Sequence, residues 1–504
     1  MFELREIAKL VTQHRRKFRG SLQQKQQERS NEHMLRMFRG LVKDEFSTDE
    51  QAAKTLYGID KPDKRFRMLK GRLIRRMMDD LYFFDQSQRN LSPYLKANFR
   101  CAKNFFGARI LLLYGARTAA TKMFKTVAAD AEKFRLYDMV MLSCLHLRSN
   151  YSFASDPLRF NYYNKKFHEA LKEFSAESYS HECVETIYAA MGKTSARKTD
   201  IAERSEKYIA ELEKMAERLH SYHLHFNLFR LKIIAQQQRG RYMKAMNECD
   251  LAMAYLYSNR PFMQRVRLAE LALIKMECCL LLRNHELAEE NEVICQKYFP
   301  AGHFNWMIFQ EIYLLTCLHT AHYEKAYAIY QAVTAQPNFS KLGEARVEKW
   351  KIFHAYMHIL KNSGHLQGMK SEDRFNLPRF MNELPIFSRD KLGLNLSILI
   401  VQFSYLLQKG DFEKVAEKME MLQSYRSRYL AKNKVHFRSN IFLKMLFFYA
   451  KYYNDRKKLI WRTDKLRQEL KLHRESAYLT IETHEVIPYE VLWDLLTKPS
   501  KQPK

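Results

Sequence analysis

The stretch Gly240-Arg-Tyr-Met-Lys-Ala-Met-Asn-Glu-Cys-Asp-Leu-Ala252 decides the fold. It follows an apolar helical pattern, and a glycine at such a place ends a helix because it adopts positive φ at no steric cost. Tyr242 begins the next helix and can pack back on the first. Ala245 lies one turn later, where a small side chain lets two helix axes approach closely. The stretch therefore predicts two successive helices packed as a pair.

The same order of residues recurs elsewhere in the chain. The matching positions are Gly115 with Ala120, Phe124 and Val127; His285 with Ala288 and Glu292; Ala321 with Tyr323, Ala326, Tyr330 and Val333; and Gly410 with Phe412, Val415, Met419 and Leu422. Each segment follows an apolar helix. From Ala245 to Ala288 is 43 residues, and from Ala288 to Ala326 is 38. A fixed order at nearly constant intervals indicates a repeat architecture.

This order resembles the second half of the tetratricopeptide repeat, Gly-x-Tyr-x-x-Ala-x-x-x-Phe-x-x-Ala. The Gly240 and Ala321 segments come closest to it, whereas the Trp and Leu-Gly signature of the first helix is mostly missing. The resemblance covers about residues 92–475. It implies a tetratricopeptide-like α-α superhelix of stacked antiparallel helix pairs, whose concave side receives a peptide, helix or protein partner.

The composition predicts an all-α protein independently of the repeats. Glycine and proline number only 14 and 11 among 504 residues, and hydrophobic residues make up 46%. Helix interiors exclude proline and disfavour glycine, whereas turns and sheet corners need them. The hydrophobic fraction is large enough to build a core, which excludes a disordered chain.

Three regions are predicted along the chain: a basic helical unit at 1–88, the helical repeats at 89–475, and a C-terminal segment at 476–504. Joints are expected near 192–206 and 364–391, where polar residues or clustered glycine and proline interrupt the periodicity. Ser47-Thr-Asp-Glu50 is predicted as a capping box and Gly58 as a helix stop. A buried helix is expected at Leu392–Leu407, since 16 residues are too few for a membrane span. A last helix is expected at Tyr489–Leu496.

The net charge of +29 favours an acidic partner. Residues 1–76 carry 20 Lys or Arg, and residues 432–475 carry 13 against four acids. Basic helices at 62–85 and 432–475 are therefore the candidate contact surfaces. Their residues are Lys64, Arg67, Arg72, Arg75, Arg76, Lys451, Arg456, Lys457 and Lys458. The alternative is that these cations only form a solvated face over the core.

Aromatic residues alternate with cations from Phe442 to Trp461. Such a mixture can stack bases and hold phosphates, which indicates nucleic-acid binding. Core packing explains the same rings, because Phe442, Met445, Phe448, Tyr449 and Tyr452 share one helical face. Both interpretations stay open at this stage.

No catalytic, cofactor-binding or metal-binding residue is predicted. Lys193-Thr-Ser195 lacks the glycine that a phosphate-binding loop requires. His220, His223 and His225 are close in sequence but are predicted to be structural, since a helix turns His225 away from the other two. Glu32 and His33 lie on a helix beside arginines, and acid–base use of them would need a pocket. Cys278 and Cys279 are predicted to pack in the core.

The eight cysteines form no Cys-x-x-Cys pair, and the first residues lack the apolar core of a signal peptide. A cytoplasmic protein with reduced thiols is therefore expected. The leading functional hypothesis is a non-enzymatic interaction protein that binds an acidic protein or peptide, without a cofactor and without a membrane. The alternative is a nucleic-acid-associated protein, and an enzyme with an unrecognised site is the third hypothesis.

Overall fold

A computed structural model describes residues 1–14, 29–81, 91–192, 198–337, 339, 343–369, 376, 380, 394–427, 437–472 and 485–497. Within these ranges the chain forms 21 α-helices and no β-strand. The prediction of an all-α protein is confirmed. The chain divides into two compact units, Met1–Phe174 and Ser175–Lys504. The domain boundaries predicted at residues 88 and 475 lie outside the described residues.

The helices of the first unit are α1 (Phe2–His14), α2 (Arg29–Val42), α3 (Asp49–Tyr57), α4 (Lys64–Leu81), α5 (Pro93–Leu113), α6 (Arg117–Lys133), α7 (Tyr137–Phe153) and the first half of α8 (Pro157–Met191). Those of the second unit are the rest of α8, then α9 (Lys198–Ala216), α10 (Tyr222–Gln238), α11 (Tyr242–Ser258), α12 (Arg265–Leu282), α13 (His285–Tyr298), α14 (Phe304–His319), α15 (Tyr323–Thr334), α16 (Glu344–Asn362), α17 (Leu394–Lys409), α18 (Phe412–Tyr425), α19 (Phe437–Tyr452), α20 (Arg456–Leu472) and α21 (Tyr489–Thr497).

Helices α1 to α4 share one hydrophobic core. One face of α4 is apolar, and its residues Phe66, Leu69, Leu73 and Met77 are buried in that core. Gly58 ends α3 at φ 69°, as expected. The capping box is displaced by one residue from its predicted place: Thr48 accepts from the N–H of Gln51, whose side chain accepts from the N–H of Ser47. Thr48 therefore starts this helix, because its hydroxyl reaches the third N–H of the first turn.

Nine of the described helices end in the same closing turn. In each, one residue adopts a left-handed conformation, and the N–H of the next residue donates to the carbonyl five positions earlier. The left-handed residues are Asp44, Gly115, Arg135, Ser155, Gly240, Arg283, Ala321, Gly364 and Gly410, and the bonds measure 2.8–3.1 Å. This is the bond that satisfies the orphan carbonyls of a helix end. Seven of these turns lead directly into the next helix, so the chain reverses within a few residues.

The small residues predicted at the helix contacts are buried. Ala120, Ala245, Ala288 and Ala326 each have 0% of their surface exposed. Tyr242 and Tyr323 begin α11 and α15, as predicted, and are also buried. Consecutive helices pack against each other within each unit, from α5 to α7 and from α9 through α21. This neighbour-to-neighbour packing is compatible with a helical-repeat solenoid.

The two segments predicted to be irregular joints differ in structure, because the first is largely helical and the described part of the second is not. Helix α9 begins at Lys198, so residues 198–206 of the predicted joint are helical. The polar composition misled the prediction, because Ile201, Ala202 and Ser205 form a buried face one turn apart. Residues 364–369 are irregular, as predicted, and most of 370–391 lies outside the described residues. The buried helix predicted near Leu392 is α17, and no described helix is long and apolar enough to cross a membrane.

Candidate functional site

One face of α20 is open to solvent over three turns. It is lined by Lys457, Ile460, Trp461, Asp464, Lys465 and Gln468, which recur at intervals of three and four residues along a shallow groove. Trp461 is 69% exposed and Ile460 is 57% exposed. Helix α20 carries seven Lys or Arg and two acidic residues. The face therefore combines large apolar side chains with a net positive charge.

Cations lie over the aromatic rings near this face. The Arg462 guanidinium is 4.6 Å from the centre of the Trp461 ring, and the Lys458 ammonium is 4.9 Å from that of Tyr452. Such cation–π contacts contribute about 0.5–1 kcal/mol at exposed sites. Tyr452 is the last residue of α19 and Trp461 lies on α20, so the contacts involve both helices.

The opposite face of α20 is anchored in the second unit. Leu459, Thr463 and Leu470 are buried. Arg467 donates from Nη2 to both carboxylate oxygens of Asp494 on α21, at 2.6 and 2.8 Å. The groove therefore lies on a helix whose opposite face is packed into the second unit.

The predicted contact residues of this region lie at the surface. Lys451, Arg456, Lys457 and Lys458 are all exposed. The aromatic residues divide between the two interpretations that the sequence left open. Phe442 and Met445 are fully buried, and the Tyr449 hydroxyl donates to the carbonyl of Leu496, whereas Trp461 faces solvent. Arg438 also lies inside the basic stretch 432–475, but it is only 1% exposed and belongs to the interior.

Arg438 is the centre of a buried charge cluster that sequence reasoning missed. It binds Glu485 through two hydrogen bonds and Glu490 through a third, at 2.6–2.9 Å. Arg283, at the end of α12, donates to the other carboxylate oxygen of Glu490 at 2.8 Å. His319 contacts the backbone carbonyl of Glu485 at 2.6 Å. The cluster joins α12, α14 and α19 to the residues that begin α21.

The protonation states of the cluster follow from its geometry. Burial alone would raise the pKa of Glu490, but the charges of Arg438 and Arg283 lower it to about 2. Burial lowers the pKa of His319 to about 4 against the opposing effect of the Glu485 carboxylate. Glu490 is therefore ionised and His319 neutral at pH 7, so the neutral ring can donate its Nε2 proton to the Glu485 carbonyl. The charged side chains of the cluster, Arg283, Arg438, Glu485 and Glu490, all have partners of opposite charge, as buried charges must.

The second predicted basic surface lies on α4. Lys64, Arg67, Arg72 and Arg75 are exposed on the side opposite the core, and Arg76 is half-buried. The neighbouring Lys70 pairs with Asp49 at 2.7 Å. The exposed cations lie on one helix surface, and both uses predicted for them, a solvated face and a contact surface, remain compatible with this arrangement.

A third basic surface was not predicted. A shallow groove on α6 and α7 is lined by Arg117, Thr118, Thr121, Lys122, Lys125 and Asn150, without a carboxylate among them. Leu113, Tyr114, Phe153 and Leu158 lie near helix ends of the same unit and are more than 80% exposed. The sequence pattern gave no signal for this surface, because each residue follows ordinary helical spacing.

The other candidate residues of the sequence do not come together in one site. His220, His223 and His225 do not converge: His220 is exposed, and the ring of His225 contacts the Leu219 carbonyl at 3.2 Å. His223 instead meets Glu177 and His181 of α8. Glu32 is exposed, and the His33 ring lies 4.7 Å from that of Tyr57. Lys193-Thr-Ser195 lies outside the described residues.

All eight cysteines are buried free thiols. Burial raises the pKa of Cys278 to about 12 and that of Cys279 to about 11, so neither is a thiolate at pH 7. The expected core packing of these two residues is confirmed.

One carboxyl group has an unusual pKa. Burial raises the pKa of Glu277 on α12 to about 7, although a hydrogen bond from Gln237 opposes the change. This group was not singled out from the sequence, since its pKa depends on neighbours in space rather than on a motif.

Comparisons with protein-family models, with curated proteins and with solved structures find no match.

Proposed function

We propose that the protein is a non-enzymatic interaction scaffold that binds an acidic protein or peptide through a tetratricopeptide-like helical-repeat surface. The repeated closing turns and the buried alanines at equivalent positions support this architecture. The eight unpaired cysteines support a cytoplasmic location. The partner is recognised by shape and charge rather than by a reaction.

The exposed face of α20 carries this proposal. An exposed tryptophan beside an exposed isoleucine presents apolar surface that is unfavourable in water, and such patches mark contact sites. Tryptophan and arginine are also enriched among the residues that dominate binding energies. Trp461, Ile460 and Arg462 supply this combination on one helix.

The lining residues define the chemistry of the partner. Ile460 and Trp461 would take an apolar side chain, while Lys457 and Lys465 on either side would pair with carboxylates. Their spacing along three helical turns matches an amphipathic helix laid along the groove. An acidic segment with an apolar stripe is therefore the partner that fits.

The test is affinity purification of the full-length protein at physiological salt, with nuclease treatment, followed by mass spectrometry. Wild type is compared with Trp461→Ala and with Lys457→Glu/Lys465→Glu. Tyr257→Ala is the control, because Tyr257 is also a half-exposed aromatic residue but lies on α11. We expect acidic proteins to be recovered with wild type and with the control, and to be lost with both α20 variants. Equal recovery with all four proteins contradicts the proposal.

A second function, nucleic-acid binding, is favoured by one observation. Trp461 and Tyr452 lie among Lys451, Lys458 and Arg462, which is the mixture of rings and cations that binds single strands. Affinity for a single-stranded oligonucleotide would then fall roughly threefold per phosphate contact between 50 and 200 mM salt. Fluorescence anisotropy with a labelled oligonucleotide measures this, and absence of binding at 50 mM salt removes this function.

A further inference from the structure

Three potential metal ligands converge between α8 and α10 in the second unit. Glu177 and His181 lie one turn apart on α8, and His223 lies in the first turn of α10. Their ligand atoms are all within 4.8 Å of one another, and each residue is half-buried. The rings of His181 and His223 have their centres 5.7 Å apart. His223 is 42 residues from His181 and 46 from Glu177, so no local motif contains all three residues.

The backbone on both sides of this cluster is fixed. Cys183, Val184 and Ile187 of α8 share a buried core with Leu224 and Leu228 of α10. Asn227 of α10 donates from Nδ2 to the Ser180 hydroxyl of α8 at 2.9 Å. The two helices therefore present the three ligands from a packed frame.

Ser221 orients the carboxylate. It begins α10 by accepting from the N–H of Leu224, and its hydroxyl donates to Oε2 of Glu177 at 2.7 Å. Metal-binding carboxylates are commonly held in this way by a hydrogen bond from a neighbouring residue. One oxygen of Glu177 is thus held in position.

We propose that Glu177, His181 and His223 bind a zinc ion, with water in the fourth position. Two imidazoles and one carboxylate are ligands that zinc accepts, and three protein ligands leave one position open. Bond lengths of about 2.0–2.1 Å place neighbouring ligand atoms about 3.4 Å apart in a tetrahedral site. Zinc binding would therefore draw the three ligand atoms, which now lie within 4.8 Å, closer together.

Charged residues surround the cluster. Burial lowers the pKa of His223 to about 4 and also lowers that of His181. Arg230 and Arg267 face the cluster with positive charge, while Glu185 adds negative charge. Arg267 pairs with Glu270 at 2.8 Å, which moderates its repulsion of a cation, and Arg230 donates to the Asn227 side chain.

The test uses the full-length protein after removal of metals with a chelator. Zinc chloride is titrated by calorimetry and by native mass spectrometry, and cobalt(II) is used as a spectroscopic probe of coordination. The test variants are His181→Ala/His223→Ala and Glu177→Gln. The control is His285→Ala/His322→Ala, which removes a different close histidine pair, whose rings stack 3.6 Å apart.

We expect one zinc ion per wild-type chain and an unchanged affinity in the control. The double variant should lose binding, and Glu177→Gln should bind at least tenfold more weakly, the range that even outer-shell changes produce. Wild type that takes up no zinc, or a double variant that retains the affinity, overturns the proposal. If the double variant does not fold, the cobalt(II) spectrum of wild type decides: octahedral absorption without imidazole ligands overturns it. The site does not depend on the proposed function.

Discussion

Arg438 of α19 donates two parallel hydrogen bonds to the carboxylate of Glu485, from Nε to Oε2 at 2.9 Å and from Nη2 to Oε1 at 2.6 Å. Both residues are buried. Two-point binding of this kind fixes the orientation of both groups. Glu490 then connects the pair to Arg283, 207 residues earlier in the chain. The cluster consequently anchors α21 to the middle of the second unit.

Arg438→Met is expected to lower the free energy of unfolding of the second unit by about 3–5 kcal/mol. It removes both hydrogen bonds to the buried Glu485 and leaves only Arg283, 3.6 Å away, as its cation. Urea unfolding followed by circular dichroism measures the loss. Arg438→Met/Glu485→Leu should recover part of it, since no unpaired charge then remains at that contact.

Arg456→Met is the matched control for this experiment. Arg456 is exposed on α20, so its replacement should change stability by less than about 0.5 kcal/mol. Equal unfolding midpoints for the Arg438 and Arg456 variants would mean that the buried pair is absent in solution.

His319 should make the protein less stable in mild acid. Its pKa is about 4 when folded and about 6.5 when unfolded, so the unfolded chain binds more protons between these values. The stabilisation is complete above about pH 6.5 and is lost as the pH falls towards 4, by up to about 1.4 kcal/mol per pH unit. Urea unfolding from pH 7.5 to 5 measures this slope.

His319→Gln should reduce the slope, because glutamine can donate to the Glu485 carbonyl without binding a proton. His220→Gln is the control, since His220 is exposed and should leave the slope unchanged. An identical pH dependence for wild type and His319→Gln would refute the assignment.

The closing turns show which parts of the fold can be predicted from the sequence. Gly115, Gly240 and Gly410 were predictable, because glycine favours the left-handed conformation that ends a helix. Arg135, Ser155 and Arg283 adopt the same conformation without a residue that favours it. At these positions the packing of the flanking helices imposes the backbone shape, so a local pattern is insufficient.

The functional surfaces were predictable to a smaller degree. The sequence placed Lys457 and Lys458 at the surface correctly, because their charge is incompatible with a core. It could not decide between a buried and an exposed Trp461, since both interpretations share the same helical spacing. The sequence interpretation counted Arg438 as part of a basic surface. Its burial is explained by Glu485, which is 47 residues away in the sequence but binds Arg438 in the fold. Contacts over such separations are set by tertiary packing.

Gly115→Ala should destabilise the first unit by about 1 kcal/mol. At φ 80° an alanine is strained, although its Cβ would meet no atom within 4 Å, so the effect isolates the backbone. Gly107→Ala on the same helix is the comparison: its Cβ would make only an ordinary contact with Met123, and alanine should stabilise the helix by about 0.5–1 kcal/mol. Chemical unfolding of both variants measures the difference in sign, and two changes of the same sign would argue against the closing turn.

Trp461 should be the tryptophan that quenchers reach. Trp306, Trp350 and Trp493 are at most 5% exposed, whereas Trp461 is 69% exposed. Iodide should quench more strongly than caesium, because Lys457, Arg462 and Lys465 attract the anion, and added salt should reduce this preference by screening. Trp461→Phe should remove the quenchable fluorescence, and Trp493→Phe should retain it. If iodide quenches Trp461→Phe as strongly as wild type, Trp461 is not exposed in solution. The α20 face is then covered and cannot be the partner-binding surface proposed above.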